Sequence, residues 1–369
     1  MNSHAPPVAP KRILCIDGGG VRGLFSLEIL DRIESLLRQH CGKADLVLAD
    51  HFDLIAGTSV GGILGAFLSW GSSVAEIRTL FTKELANMFT PTRWWKMLTS
   101  SYRREPLSDF LVDFFSEDDG SPALLGTARL RTHLLIVVRN LTTGGAWPLT
   151  NHPEAAFNRD VLPDGTPNPR PNLNIPLWQL IRGSTAAPWY FPSERVEMSN
   201  GNAMEFVDGG TTAYNNPAFI AYGMATLPGY PFHWPVGVDR LRVVSVGSGR
   251  IRPAAVQDRL PGRLEALRFL PNALIDAATH EQDFVMRCLG ECVHGEPLDG
   301  EVGAMLHVTQ ENANFRYARY NRTFSAEEIA AAEEECGTRF TLSAVALAPW
   351  LVRTGREYAE NSVRLEHLM

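Results

Sequence analysis

The sequence predicts an α/β protein whose mainly parallel sheet is covered by helices on both faces. Continuous apolar runs with the length of buried strands recur along the chain, beginning at residues 12–17. Longer segments between these runs place apolar residues at helical spacing, as in residues 24–40. Strands that alternate with helices in this way are typical of a parallel sheet between two helical layers.

The elements follow in order from the amino terminus. Residues 1–11 are expected to form a disordered leader, and RILCID at 12–17 a buried strand. One face of the next helix, which is predicted to run to about His40, is marked by Leu24, Leu27, Leu30, Ile33, Leu36 and Leu37. The stretch LVLAD at 46–50 has the composition of a further strand.

The following segments repeat the alternation of a strand with a helix. FDLIAGTS at 52–59 is a predicted strand, and GGILGAFLSW at 61–70 is apolar on all sides, as a buried helix should be. Two more strands are predicted at 132–140 and 241–249. The segment 158–174 is rich in Pro, Asn and Asp, and loops of that length are usually functional or disordered.

After about residue 220 the pattern becomes more helical. Ser325 and Glu328 form a capping box, which predicts the start of a helix. A last helical stretch covers residues 341–366, and Pro349 within it predicts a kink.

Composition and charge narrow the function classes. The 369 residues are 45% hydrophobic and 20% charged, which is ordinary for a globular protein. A net charge of −7 argues against a general binder of nucleic-acid polymers. No signal peptide is visible, and the most apolar window, 52–70, is too interrupted to span a bilayer, so we expect a soluble protein.

Five cysteines give no disulfide framework, which favours a reducing compartment. Cys288, Cys292 and His294 lie close together, but their spacing lacks a second ligand pair. We interpret the two thiols as packing residues on a helix, and we expect no metal site.

A glycine loop follows the first strand and allows two interpretations. Gly18-Gly19-Gly20-Val-Arg-Gly23 matches the G-x-G-x-x-G of dinucleotide-binding folds, and Asp50 could then meet a ribose. Against this, Asp50 lies beyond the usual spacing. Consecutive glycines can also direct several backbone N–H groups at one point, as an oxyanion hole requires.

The next turn carries Gly57-Thr-Ser59-Val-Gly61, a G-x-S-x-G pattern between a strand and a helix. A sharp turn there would lift the serine hydroxyl above the sheet, and the flanking glycines would permit the cramped backbone. The helix start adds a positive dipole end near a developing oxyanion. Ser59 is therefore a candidate nucleophile.

The partner that would accept the serine proton is less obvious. None of the ten histidines has an informative local context. Asp208 ends a short apolar stretch, and Gly209 and Gly210 after it allow a tight turn. By itself Asp-Gly-Gly is an ordinary turn. Arg22 could hold the glycine loop in shape, attract a lipid phosphate, or be a solvated arginine at a helix start.

Together these segments resemble the patatin-like phospholipases. DGGGVRG at 17–23 resembles the family's oxyanion motif, and GTSVGG at 57–62 resembles its nucleophile elbow. STAAPWYFP at 184–192 resembles the segment before the second catalytic residue, and VDGGTTAYNNPA at 207–218 resembles the aspartate motif. The resemblance covers about residues 12–220.

For the molecule as a whole, the resemblance implies a three-layer α/β/α fold. Residues 12–220 would form the catalytic domain, and residues 221–369 would complete the same globule. The implied activity is hydrolysis of fatty-acyl esters of membrane phospholipids through an acyl-enzyme, without metal or cofactor. A nucleotide-binding protein that uses the glycine loop without hydrolysis stays open as the alternative.

For the site, the resemblance implies a dyad rather than a triad. Ser59 would be the nucleophile and Asp208 the general base. The backbone amides of Gly18, Gly19 and Gly20 would form the oxyanion hole.

Two stretches rich in aromatic and basic residues suggest binding partners. Trp94 and Trp95, in RWWKMLTSSYRR at 93–104, suit the headgroup layer of an anionic membrane or, alternatively, a helix packed on the sheet. We therefore expect a cytoplasmic protein with transient contact at the inner face of the membrane.

The second stretch is NFRYARYNR at 314–322, and similar stretches occur late in bacterial patatin-like proteins. Some of those proteins are antiviral defence effectors that are switched on by cyclic nucleotides. The resemblance therefore suggests that a cyclic dinucleotide could activate this protein. Three arginines could meet its phosphates and two tyrosines could stack on its bases: Arg316, Arg319, Arg322, Tyr317 and Tyr320. A structural strand is the alternative interpretation.

Overall fold

The computed structural model describes residues 9–90, 102–188, 190–197, 203–251, 263–307 and 313–369, and of residues 263–272 the backbone only. Within these ranges the strands are β1 (Lys11–Ile16), β2 (Leu54–Thr58), β3 (His133–Asn140), β4 (Ala146–Thr150), β5 (Glu194–Glu197), β6 (Ala203–Asp208), β7 (Leu241–Val246), β8 (Arg250–Ile251), β9 (Glu291–His294), β10 (Arg316–Tyr320) and β11 (Thr323–Phe324). The helices are α1 (Gly23–Cys41), α2 (Val60–Trp70), α3 (Val74–Met88), α4 (Glu105–Phe114), α5 (Leu177–Ser184), α6 (Ala218–Thr226), α7 (Arg263–Leu289), α8 (Ala326–Cys336) and α9 (Ala348–Ser362).

A mixed sheet of nine strands forms the centre of the molecule. Its order is β5-β6-β3-β2-β1-β7-β10-β9, and β4 pairs with β3. The six strands from β3 to β9 are parallel, whereas β4, β5 and β6 form antiparallel pairs at one end. β8 and β11 form a separate parallel pair. Strands from before and after residue 220 therefore share one sheet.

Alternate residues of β1 point to two different cores, as the period of a strand requires. Leu14 and Ile16 belong to a core shared with α1, α2, α3 and α9. Ile13 and Cys15 belong to a second core, shared with α6 and with Met286 of α7. All four side chains are 0% exposed. The sheet thus lies between two helical layers, and the predicted three-layer α/β/α fold is confirmed.

Two predicted elements are corrected. Residues 46–50 do not form a strand, because Leu48–Asp50 is a 3-10 helix whose Asp50 carboxylate accepts a hydrogen bond from the Val47 amide at 3.1 Å. Such a local bond competes with strand pairing. Pro349 does not kink a helix, because α9 begins at Ala348 and its first turn tolerates a residue without an N–H.

The cysteine interpretation is corrected in part. Cys288 lies on α7, but Cys292 and His294 lie on β9 rather than on the same helix. Cys292 is buried in the second core, as a packing thiol would be. The capping box at Ser325 is confirmed, since the Ser325 hydroxyl accepts from the Glu328 amide at the start of α8. Among the helices of the described residues, none combines the length and the apolar composition of a transmembrane span.

Candidate active site

Ser59 occupies the sharp turn between β2 and α2. Its backbone angles are φ 55° and ψ −127°, a strained conformation for a residue other than glycine. The turn is possible because Gly57 and Gly61 let main chains approach closely. A Cβ on Gly57 would lie 2.1 Å from the Gly61 oxygen, and a Cβ on Gly61 would lie 2.2 Å from the Ile16 oxygen. Larger residues at either position would displace the turn.

Strand register brings Asp208 beside this turn. Thr58, at the end of β2, pairs with Val137 on β3, and the next residue, Val138, pairs with Asp208 at the end of β6. The Ser59 Oγ–H donates to Asp208 Oδ2 at 2.6 Å, across 149 positions of sequence. The Gly210 amide donates to Asp208 Oδ1 at 2.7 Å and fixes the carboxylate plane.

The environment of Asp208 makes it a stronger base than a free aspartate. The side chain is only 5% exposed, and this burial raises the pKa of Asp208 to about 6. Hydrogen bonds from Ser59 and Gly210 and the charge of Arg182 act in the opposite direction and lower the pKa. The carboxylate is therefore ionised above about pH 6 and has useful basicity near neutral pH.

The amides of the glycine loop are not equivalent. The Gly18 N–H already donates to the Asn215 backbone oxygen at 3.1 Å, and the Val21 N–H donates to the Leu342 oxygen at 2.8 Å. In the described residues, the Gly19 and Gly20 amides have no protein acceptor. Gly18 is therefore removed from the predicted oxyanion hole, because its donor is occupied by Asn215.

Arg22 braces the loop from behind. Its guanidinium is buried, with Nη1 donating to the Gly249 oxygen at 2.8 Å and Nε donating to the Gly19 oxygen at 3.4 Å. Of the three roles considered for Arg22, these contacts fit the one that holds the loop in shape. The Ser248 hydroxyl adds a further contact by donating to the Gly18 oxygen at 2.9 Å.

The prediction that residues 314–322 form a nucleotide-binding surface is wrong for the central residues of this stretch. Tyr317, Arg319 and Tyr320 lie on the interior strand β10, and none is more than 2% exposed. Arg319 donates twice to Asp17, at 2.8 and 2.5 Å, just before the glycine loop. The arginine therefore neutralises a buried carboxylate and is not available to a phosphate.

The outer arginines of that stretch are also engaged. Arg316 pairs with Glu291 at 3.3 Å, and Arg322 pairs with Glu328. These contacts fit the alternative interpretation, in which residues 314–322 form a structural strand.

The dinucleotide interpretation of the glycine loop fails on geometry. Asp50 precedes β2, so it lies towards the amino-terminal edge of the parallel strands, whereas Gly18 follows the carboxyl end of β1. Asp50 pairs there with Arg131. A nucleotide whose phosphate lay on the glycine loop could therefore not place its ribose against Asp50.

A cavity of about 350 Å³ opens beside Ser59, Asp208 and the glycine loop. Its other walls are mainly apolar and include Ile63, Phe81, Met88, Phe89, Leu107 and Phe191. The segment 158–174 contributes no residue to these walls. Trp94 and Trp95, predicted to contact a membrane, lie outside the described residues.

Two site residues were not assigned a role from the sequence. Ser184 accepts from the Ser59 amide at 2.9 Å and donates to the Val137 oxygen at 2.7 Å, so it ties the turn to β3. Asn215 holds Gly18 through its backbone and donates from its side chain to Thr279 at 3.0 Å. Both lie in motifs that the sequence singles out, which was the available signal.

This site has a serine hydroxyl hydrogen-bonded to a buried carboxylate, beside two amides that have no acceptor among the described residues, on a three-layer α/β/α fold. Such a geometry is typical of serine hydrolases. The family model described as patatin-like phospholipase matches residues 14–222. The chain therefore belongs to the patatin-like phospholipase family.

Three relatives illustrate the range of the family. A cGAMP-activated phospholipase of Vibrio cholerae is 33% identical over 217 residues, which cover 57% of this chain and 56% of that protein. Patatin-17 of Solanum cardiophyllum is 27% identical over 253 residues, covering 64% of this chain and 60% of that protein. A cUMP-AMP-activated phospholipase of Escherichia coli is 26% identical over 239 residues, covering 64% of each. The chain thus matches less than two thirds of each relative.

Proposed function

We propose that this protein is a lipid acyl hydrolase that cleaves fatty-acyl esters of membrane phospholipids. The observation that carries the proposal is the 2.6 Å hydrogen bond between Ser59 and Asp208 at the edge of an apolar cavity. A phospholipid provides both an ester for the hydroxyl and an acyl chain for the cavity. Within the chain, we assign the catalytic part to residues 12–220, with residues 221–369 completing the globule.

The proposed reaction has two halves. Asp208 accepts the Ser59 proton as Oγ attacks the acyl carbonyl, and the amides of Gly19 and Gly20 donate to the resulting oxyanion. Collapse of this intermediate breaks the ester bond, and the leaving alcohol takes the proton from Asp208. Water then attacks the acyl-enzyme while Asp208 removes its proton. The fatty acid leaves and Ser59 regains its hydrogen.

A fluorophosphonate probe tests this proposal directly. It should label Ser59 in the wild-type protein and leave Ser59→Ala unlabelled. Both Ser59→Ala and Asp208→Ala should lose hydrolysis of mixed phospholipid vesicles while keeping the circular dichroism of the wild type. A rate near that of the wild type in Asp208→Ala would reject the dyad.

We also infer that a cyclic dinucleotide regulates the enzyme. Two relatives are named as phospholipases activated by cGAMP or cUMP-AMP. Since β10 is interior, the activator would have to bind elsewhere than at Tyr317, Arg319 and Tyr320. Vesicle hydrolysis with and without each dinucleotide tests the inference. Full activity without a nucleotide, together with no heat of binding in calorimetry, would reject it.

The substrate places the reaction at a membrane surface, and we propose transient contact with the inner face of the membrane. Trp94 and Trp95 are the residues that the sequence offers for it. A Trp94→Ala/Trp95→Ala variant should bind anionic vesicles more weakly than the wild type. Unchanged binding by the folded variant would remove these residues from the proposal.

A further inference from the structure

The residues that line the cavity beside Ser59 differ in how much solvent reaches them. Phe81, Met88 and Leu107 line it from α3 and α4, and none of them is more than 3% exposed. Two other lining residues, Phe89 and Tyr190, are half-buried. From this difference we infer a mouth at the half-buried residues and a closed end at the buried residues of α3 and α4.

The size of the cavity limits what it can hold. An apolar cavity of about 150 Å³ takes up benzene, which has six carbons. By the same measure, 350 Å³ holds about 14 carbons. This is the size of a single fatty-acyl chain and too small for two chains together.

The chemistry of the walls fixes the direction of the chain. The polar groups that would react with an ester, those of Ser59, Asp208 and the glycine loop, line the cavity together. The buried walls of α3 and α4 offer only apolar atoms at Phe81, Met88 and Leu107, where a charged headgroup would be desolvated at high cost. The carbonyl thus belongs at Ser59 and the terminal methyl group at the closed end.

We propose that this cavity holds one acyl chain and that Phe81, Met88 and Leu107 set the longest chain that is cleaved efficiently. The inference rests on the proposed acyl hydrolase activity and adds its chain-length specificity. Each further methylene should raise kcat/KM up to about fourfold while it still gains a buried contact. Beyond about 14 carbons the gain should stop, because the closed end is full.

The experiment measures kcat/KM for p-nitrophenyl esters from butyrate to stearate, at a fixed mole fraction in the same detergent micelles. Met88→Trp fills the closed end and should move the optimum to shorter chains. Leu107→Ala removes three carbon atoms from the wall and should move it to longer chains. Opposite shifts are not expected from a general loss of stability.

Leu85→Ala is the matched control. Leu85 lies on α3, is 2% exposed and packs in the same core, but it does not line the cavity. Its truncation should cost stability comparable to that of Leu107→Ala. It should leave the chain-length optimum where the wild type has it. If Leu107→Ala does not fold, Leu107→Val makes the smaller change in the same direction.

The outcomes separate the two proposals. Opposite shifts in Met88→Trp and Leu107→Ala support the inference. Ser59-dependent hydrolysis with an optimum that neither variant moves overturns it and leaves the acyl hydrolase standing. No Ser59-dependent hydrolysis of any ester, including the butyrate, either without nucleotide or with cGAMP or cUMP-AMP present, overturns the proposed function itself.

Discussion

Replacing Asp208 by asparagine should inactivate the protein and at the same time stabilise it. The carboxylate is buried, and its pKa rises from 3.8 to about 6 on folding. A carboxyl group with a raised pKa binds its proton more tightly in the folded state. Its contribution to stability is therefore full below about pH 3.8 and is lost as the pH rises through 6.

The size of the effect follows from the pKa shift. A rise of the pKa from 3.8 to about 6 corresponds to roughly 3 kcal/mol of destabilisation at pH 8. The side chain introduced by Asp208→Asn would be isosteric, with its oxygen accepting from Gly210 and its amide donating to Ser59. Because the asparagine side chain carries no charge, the destabilisation caused by burying the carboxylate disappears. With an unfolding entropy of about 2.1 cal/mol/K per residue over 369 residues, Tm should rise by about 4 °C.

Calorimetry of wild type and Asp208→Asn between pH 5 and 8 is the assay. The difference in Tm should be largest at pH 8 and should fall to about half near pH 5. Asp239→Asn, at an exposed position, controls for the removal of a surface carboxylate. A variant that melts at or below the wild type at pH 8, or a difference that does not change with pH, would refute the account of Asp208 burial.

Other predictions address the surroundings of the dyad. The wild type should show an acid limb in kcat/KM with a midpoint near pH 6, since only ionised Asp208 accepts a proton; a profile flat to pH 5 would contradict this. Arg182→Met should move that midpoint to higher pH, because the arginine charge lowers the pKa of Asp208, and Arg182→Lys should restore it. Ser184→Ala should lower kcat about 10²-fold in steady-state assays with little change in KM, because it releases the Ser59 turn; Ser184→Thr should recover part of the loss. Arg319→Met should cost about 3–5 kcal/mol in urea unfolding by leaving Asp17 buried and unpaired, and adding Asp17→Asn should regain much of it.

The sequence was most informative where chemistry depends on a few adjacent residues. The turn at Ser59 could be predicted because Gly57 and Gly61 are the residue types that such a backbone requires. Asp208 could not be chosen from its own surroundings, since Asp-Gly-Gly is an ordinary turn. It became a candidate only through the resemblance to a family, which supplied the order of the motifs.

Tertiary structure decided what neighbours do to each group. No local pattern shows that the Gly18 amide is taken by Asn215, because the two lie almost 200 positions apart and meet only after the sheet has formed. The charge pattern of 314–322 suggested a surface, yet Arg319 is buried against Asp17. The sequence does not distinguish an arginine that contacts water or phosphate from one that pairs with a buried carboxylate.

The sequence by itself therefore indicated the strands β1, β2, β3 and β7, a helical layer on each face of the sheet and the residue types at the turns, because periodicity and turn chemistry are local. The tertiary structure alone decided which amides stay unpaired, how basic Asp208 is and how far the apolar cavity extends. These properties depend on desolvation and on contacts between distant segments, and neither is written in a local stretch of residues.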